Sequence, residues 1–207
     1  VTVTDDDTGT ASASTAVTVN NVAPVLAGLA STATFDSKAD EGETVTVSAT
    51  FTDVGTLDTH AATIDWGDGS PPEPATVIQG GGSGAVSAAH AYAHGGVFTV
   101  TLTLTDDDTG QDVQTTTAVV IGAGINNRVL QIVGSDAANN VTVNKQGNGW
   151  FKVHAEFFPE GNFRLFDASQ ISYIQMWLCS GDDQASDGDF ASRRNVGQTG
   201  KGYDCPR

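Results

Sequence analysis

Carboxylates are the residues of this chain most able to do chemistry, and they come in clusters. Asp106-Asp107-Asp108 is a run of three, with Asp53 and Asp58 as separate acids upstream. Hard oxygen donors in irregular array suit calcium, which takes six to eight such ligands without strict geometry. The metal candidates are therefore Asp53, Asp106, Asp107 and Asp108, with calcium as the ion. In an extended backbone neighbouring side chains diverge, so one or two of the triplet can reach a common ion. The EF-hand order of alternating acids with glycine sixth is absent. The competing reading is a solvated acidic turn at the end of a strand. A second acidic loop, Asp182-Asp183 with Asp187-Gly188-Asp189, has the same two readings.

Asp65 and Asp68 flank Trp66 and Gly67, and a carboxylate pair beside an aromatic ring can do acid–base work. Asp68-Gly69 is equally a tight-turn dipeptide in which the acid caps backbone amides. His90 and Tyr92 are two apart on a strand and face one way, as an acid and a nucleophile would, or as packing residues would. His60 and His94 read as loop residues. The four histidines have neither zinc spacing nor cysteine partners. Cys179 and Cys205 can pair, but sequence does not decide it. No Gly-x-Ser-x-Gly elbow or phosphate-binding loop occurs. The residues favour structure over catalysis.

These groups are carried on strands. In Thr44–Asp53 the apolar set is Val45, Val47, Ala49 and Phe51; in Phe98–Thr105 it is Phe98, Val100, Leu102 and Leu104. Threonine or serine fills the alternate places. Ala62, Ile64 and Trp66 repeat the period. Alternation of this kind predicts half-buried antiparallel strands. Threonine on the wet face fits, because its branched side chain prefers extended backbone. Turn residues fall between the runs, at Gly67–Pro72, Gly80–Gly84 and His94–Gly96. Short strands at this spacing predict an all-β, two-sheet sandwich.

Asp106-Asp107-Asp108-Thr109-Gly110 repeats Asp5-Asp6-Asp7-Thr8-Gly9, an offset of 101 residues. A repeat of domain size means like modules in series. The expected organisation is 1–20 as the last strands of one module, 21–122 as a complete sandwich, 123–190 as a small β-rich region, and 191–207 as an irregular tail. Asn20 to Pro24 forms a short, semi-rigid joint. Up to Ile125 there are sixteen acids and one base; beyond it, nine acids and eight bases. That asymmetry sets the boundary near Gly122-Ala123-Gly124. The acidic half repels nucleic acid and anionic lipid, and no apolar run is long enough for a membrane span.

In 123–190, strands are expected at Val129–Val133, Val141–Asn144, Trp150–Ala155, Phe163–Phe166 and Ile171–Leu178, with a hairpin around Gln146–Gly149. A small sheet and a short β-solenoid both fit.

Ile64-Asp65-Trp66-Gly67-Asp68-Gly69-Ser70, then His90-Ala91-Tyr92, then Gly96 to Asp106 with alternating Phe, Val and Leu, resemble the PKD (polycystic kidney disease) domain, an immunoglobulin-like module. The resemblance covers Pro24–Ile121 and departs from the family only in its Asp65-Trp66 order. It implies structural roles for Asp65, Trp66, Gly67, Asp68, Gly69, His90 and Tyr92. It also implies a non-catalytic module of a secreted or cell-surface bacterial protein, working as a spacer or adhesive array. Its partners would be neighbouring modules and a protein or polysaccharide ligand. The alternative is an accessory binding module of a secreted hydrolase, with Trp150, Phe151 and Trp177 as an aromatic platform. Leu130–Gly134 and Ser180–Asp183 more distantly resemble segments beside the calcium-binding repeats of secreted bacterial proteins, although the glycine-rich nonapeptide is missing.

Overall fold

A computed structural model describes residues 1–178 and 183–187. Alternation becomes strand throughout, and the described residues hold no α-helix, only a 3-10 turn at Ala168–Gln170. The strands are β1 (Thr2–Thr4), β2 (Thr10–Ser12), β3 (Val25–Ser31), β4 (Thr44–Thr52), β5 (His60–Asp65), β6 (Glu73–Gln79), β7 (Ser83–Ala91), β8 (Gly96–Asp106) and β9 (Gln111–Val120). They are followed by β10 (Gly122–Asn126), β11 (Val129–Val133), β12 (Asn140–Lys145), β13 (Trp150–His154), β14 (Phe163–Asp167), β15 (Tyr173–Trp177) and β16 (Gln184–Asp187).

Seven strands form one connected sheet in the order β3-β4-β7-β6-β5-β8-β9. The sheet folds over on itself. Its two end strands meet: Leu26 donates its amide to Asp112 Oδ2 at 2.7 Å, and Gln114 Nε2 donates to the Leu26 carbonyl at 2.7 Å. β6 is the corner. Its first half pairs with β5 and its second half with β7. Pro74, which has no amide hydrogen to give a ladder, sits in the half beside β5. The result is an immunoglobulin-like sandwich whose two inner faces bury Val45, Val47, Phe51, Ile64, Trp66, Val100, Leu102 and Leu104. Removing that apolar surface from water is what holds the layers together, at about 25 cal/mol per Å². Threonine takes the other face of β4 and most of β8, as the pleat requires.

β1 and β2 form an exposed hairpin closed by the same turn as β8 and β9. Asp5 Oδ1 accepts the Gly9 and Asp7 amides; Asp106 Oδ1 accepts those of Gly110 and Asp108. Thr8 and Thr109 both adopt positive φ, 69° and 74°. The sequence repeat is thus a repeat of conformation.

Beyond residue 121, Gly122-Ala123-Gly124 is part of strand β10. It packs against the sandwich because glycines let the backbones approach: a Cβ on Gly95 would fall 2.2 Å from the Gly122 carbonyl carbon. Among the described residues the region has two sheets, β10-β11-β15 and β14-β13-β12-β16, around a core of Leu130, Ile132, Val141, Val143, Phe151 and Val153. β11 pairs with β15, and β12 with β16, both in parallel. Val129 faces Tyr173 and Asn140 faces Gln184, so both pairs share one offset of 44 residues. The chain therefore returns after 44 residues to lie parallel beside itself in each sheet, as in a solenoid, and antiparallel strands cover the opposite edges.

Candidate metal site and the turn motif

β8 ends at Asp106, which is 4 % exposed and faces inward, whereas Asp107 and Asp108 turn outward with the chain. The inward place brings Asp106 together with Asp53, from the end of β4, and Asp58, from the following loop. One carboxylate oxygen from each lies within 4.8 Å of those of the other two. Asp107 is used differently: it accepts the Thr59 amide at 3.0 Å. Asp108 contributes only its amide to the turn. Of the four residues singled out in sequence, Asp53 and Asp106 lie in the cluster. Asp58 replaces Asp107 and Asp108.

Each acid is held by local bonds. Asp53 Oδ1 accepts the Gly55 amide at 2.7 Å, and its Oδ2 lies 2.9 Å from His60 Nε2. Asp106 Oδ2 accepts from Asn21 Nδ2 at 2.8 Å. That Asn21 bond, with the Gly110 and Asp108 amides and the charge of His60, outweighs burial and holds the Asp106 carboxyl below its ordinary pKa. Asp58 is the opposite case. Burial, and then repulsion from Asp107, Asp53, Asp108 and Asp106, pushes its pKa up. Like charges so close lower their energy by binding a proton or a cation. The donor set is all oxygen on the carboxylates, which fits calcium.

His60 stands beside the cluster, bonded to Asp53, although its sequence neighbourhood suggests a loop. It is the first residue of β5, and the inward set Ala62, Ile64, Trp66 runs back to it by twos. Gln79 Oε1 accepts the His60 amide at 2.9 Å, which fixes that atom as oxygen; Nδ1, 2.7 Å away, donates to it. The imidazole stands 4.6 Å from the Phe51 ring.

The second group is a turn built around an indole. Trp66 follows β5 and is 1 % exposed. Its Nε1 donates to Glu73 Oε1 at 2.6 Å. Gly67 must be glycine: φ is +73°, and a Cβ would fall 2.3 Å from the Thr99 carbonyl oxygen. Asp65 and Asp68 do not converge. Asp65 accepts the Gly67 amide, and Asp68 the Ser70 amide and hydroxyl. Asp68 Oδ2 also reaches His90 Nε2 at 2.8 Å, and the His90 ring stacks on Trp66 with centroids 5.0 Å apart. Gly69 takes φ of +90° in the same turn. Burial opposes the Asp68 charge, but Ser70 and His90 outweigh it and lower its pKa. Tyr92 stacks on Phe98 and donates its hydroxyl to the Trp66 carbonyl at 3.1 Å. Burial drives the phenol pKa far up, so at neutral pH it remains a hydrogen-bond donor rather than a nucleophile.

Of the aromatic platform residues, Phe151 is buried, Trp177 is half-buried on another sheet, and Trp150 is 41 % exposed. Cys179, Cys205, Asp182, Gly188 and Asp189, the side chain of Asp187 and the whole 191–207 segment lie outside the described residues.

The architecture defines an immunoglobulin-like module. Residues 21–121 match the PKD domain family, and this segment of the chain is a PKD domain. The chain is also similar to the crystal structure of the PKD1 domain of Vibrio anguillarum Epp. Identity is 23 %, covering 49 % of this chain and 96 % of that one, with a TM-score of 0.35. No curated protein matches. The PKD domain is a non-catalytic module typical of bacterial secreted and surface proteins, often extracellular. Among the described residues, no helix is long and apolar enough to cross a membrane.

Proposed function

We propose that this chain is a structural and interaction segment of a secreted or cell-surface protein, in which the PKD sandwich is a spacer. A calcium ion held by Asp53, Asp58 and Asp106 would stiffen its entry joint. One observation carries the reading. Asn21, in the joint that leads into the sandwich, is bonded to Asp106 of the acid cluster across 85 residues of chain. Whatever steadies the cluster therefore steadies the joint. The ion would neutralise acids that now repel one another, and order the 53–58 loop. It would also tie the module to its own entry segment, not to the module that follows. Neighbouring modules are the partners along the chain, and a protein or polysaccharide is the partner across it.

The test is thermal melting of the chain in millimolar calcium and in chelator. A rise of several degrees with calcium, lost in Asp106→Asn, is expected. Equal melting temperatures in the two buffers would remove the ion and leave the spacer.

A second reading has its own support. Trp150, Phe163 and Leu165 are exposed and alternate with buried Phe151 and half-buried Arg164 and Phe166 on the paired strands β13 and β14. Lys152 Nζ lies 4.0 Å from the Phe163 ring. Aromatic rings beside polar side chains suit a polysaccharide. Retardation in a gel containing polysaccharide, abolished by Trp150→Ala, would favour an accessory binding module over a spacer.

A further inference from the structure

Asn139 stands just before β12, and Asp183 just before β16. They are 44 residues apart, the offset that registers both parallel pairs, so they occupy equivalent places on successive coils. Asn139 is 5 % exposed. Its Nδ2 donates to the Ala137 carbonyl at 2.7 Å and to Ser135 Oγ at 2.9 Å. A carbonyl only accepts, so the amide cannot be turned the other way. Its backbone N–H donates to Asp183 Oδ1 at 2.7 Å, which sets a carboxylate beside it.

Asn139 Oδ1 is what remains. It is buried and receives no hydrogen bond from the described residues. Buried amide oxygens are normally satisfied, and an exception asks for a cause. The oxygen lies against residue 134, which has to be glycine: a Cβ there would fall 2.0 Å from Oδ1. A neutral amide oxygen fixed in orientation, on a residue whose backbone N–H already holds a carboxylate from the coil above, is a hard-donor arrangement without nitrogen or sulfur.

We propose that Asn139 Oδ1 and the Asp183 carboxylate are ligands of a calcium-type cation that fastens the second coil of the β-region onto the first. This site shares no residue with the Asp53, Asp58 and Asp106 cluster and does not depend on it. With two protein ligands, its affinity belongs with extracellular modules, at roughly 10⁻⁴ to 10⁻³ M.

Equilibrium dialysis of the full chain against calcium tests this. In an Asp53→Asn/Asp106→Asn background, one ion per chain is expected to remain. It is lost when Asp183→Asn is added. Asn139→Ala in the same background withdraws the amide oxygen and weakens binding about tenfold. No ion in the double variant, or an ion that survives Asp183→Asn, overturns the proposal. If the Asp183 variant does not fold by circular dichroism, Asn139→Ala decides, and unchanged affinity overturns it. Equal stoichiometry in the wild-type chain and the double variant refutes the first calcium site and leaves this one standing.

Discussion

Glu41 and Arg164 join the sandwich to the β-region, and the cost of breaking them follows from their surroundings. The Glu41 side chain is 5 % exposed and that of Arg164 is 23 %. Both terminal nitrogens of Arg164 donate to the Glu41 carboxylate, which also accepts the Gly95 amide at 2.7 Å. Arg164 further packs 4.6 Å from the centre of the Phe158 ring. Removing one partner of a buried pair costs about 3–5 kcal/mol, because the other charge stays buried alone. Here the arginine is partly wet and the carboxylate keeps one amide, so Arg164→Met belongs at the lower end, about 3 kcal/mol. For a cooperative unit of this size that lowers the melting temperature by about 6–12 °C. Arg164→Met with Glu41→Gln removes both charges, while the new side-chain amide oxygen can still accept from Gly95, so the pair should recover at least half of the loss. Circular-dichroism melts of the four proteins measure it. A single variant that melts with the wild type, or a double variant that loses the sum of both singles, would refute the reasoning.

Two further outcomes are expected. Asp58→Asn should raise the melting temperature in chelator, since it removes the acid that burial and its neighbours penalise, and should weaken the gain from calcium; a variant less stable in both buffers would count against a metal role. Asp68 has a lowered pKa in the fold, so its contribution is complete above the unfolded carboxylate value of about 3.9 and fades as pH falls through its own lower value. The stability gap between wild type and Asp68→Asn should therefore be full at pH 6 and close in strong acid; a gap that persists at the lowest pH would show the lost packing, not the charge, to be its source.

The fold was legible because burial here is periodic. Val45 to Phe51 and Phe98 to Leu104 alternate without a break, and their strands follow. The site was less so. Asp58 and His60 lie on opposite sides of a strand start, and nothing local says that a loop acid folds back onto β4 and β8. Only the inward series from Trp66 back to His60 marked the histidine. Asn21 could be placed in a joint, but its bond to Asp106 depends on β3 closing against β9. The choice between sheet and solenoid needed the parallel pairs, because a 44-residue return leaves little trace in composition.

That constant return has an evolutionary corollary. Among the described residues, β10, β13 and β14 seal one flank of the β-region, while β15 and β16 end their sheets on the other. An architecture sealed at its root and periodic at its growing side can lengthen by duplicating whole 44-residue units. Gln131, Glu41 and Arg164, which seat it on the sandwich, would feel none of the additions.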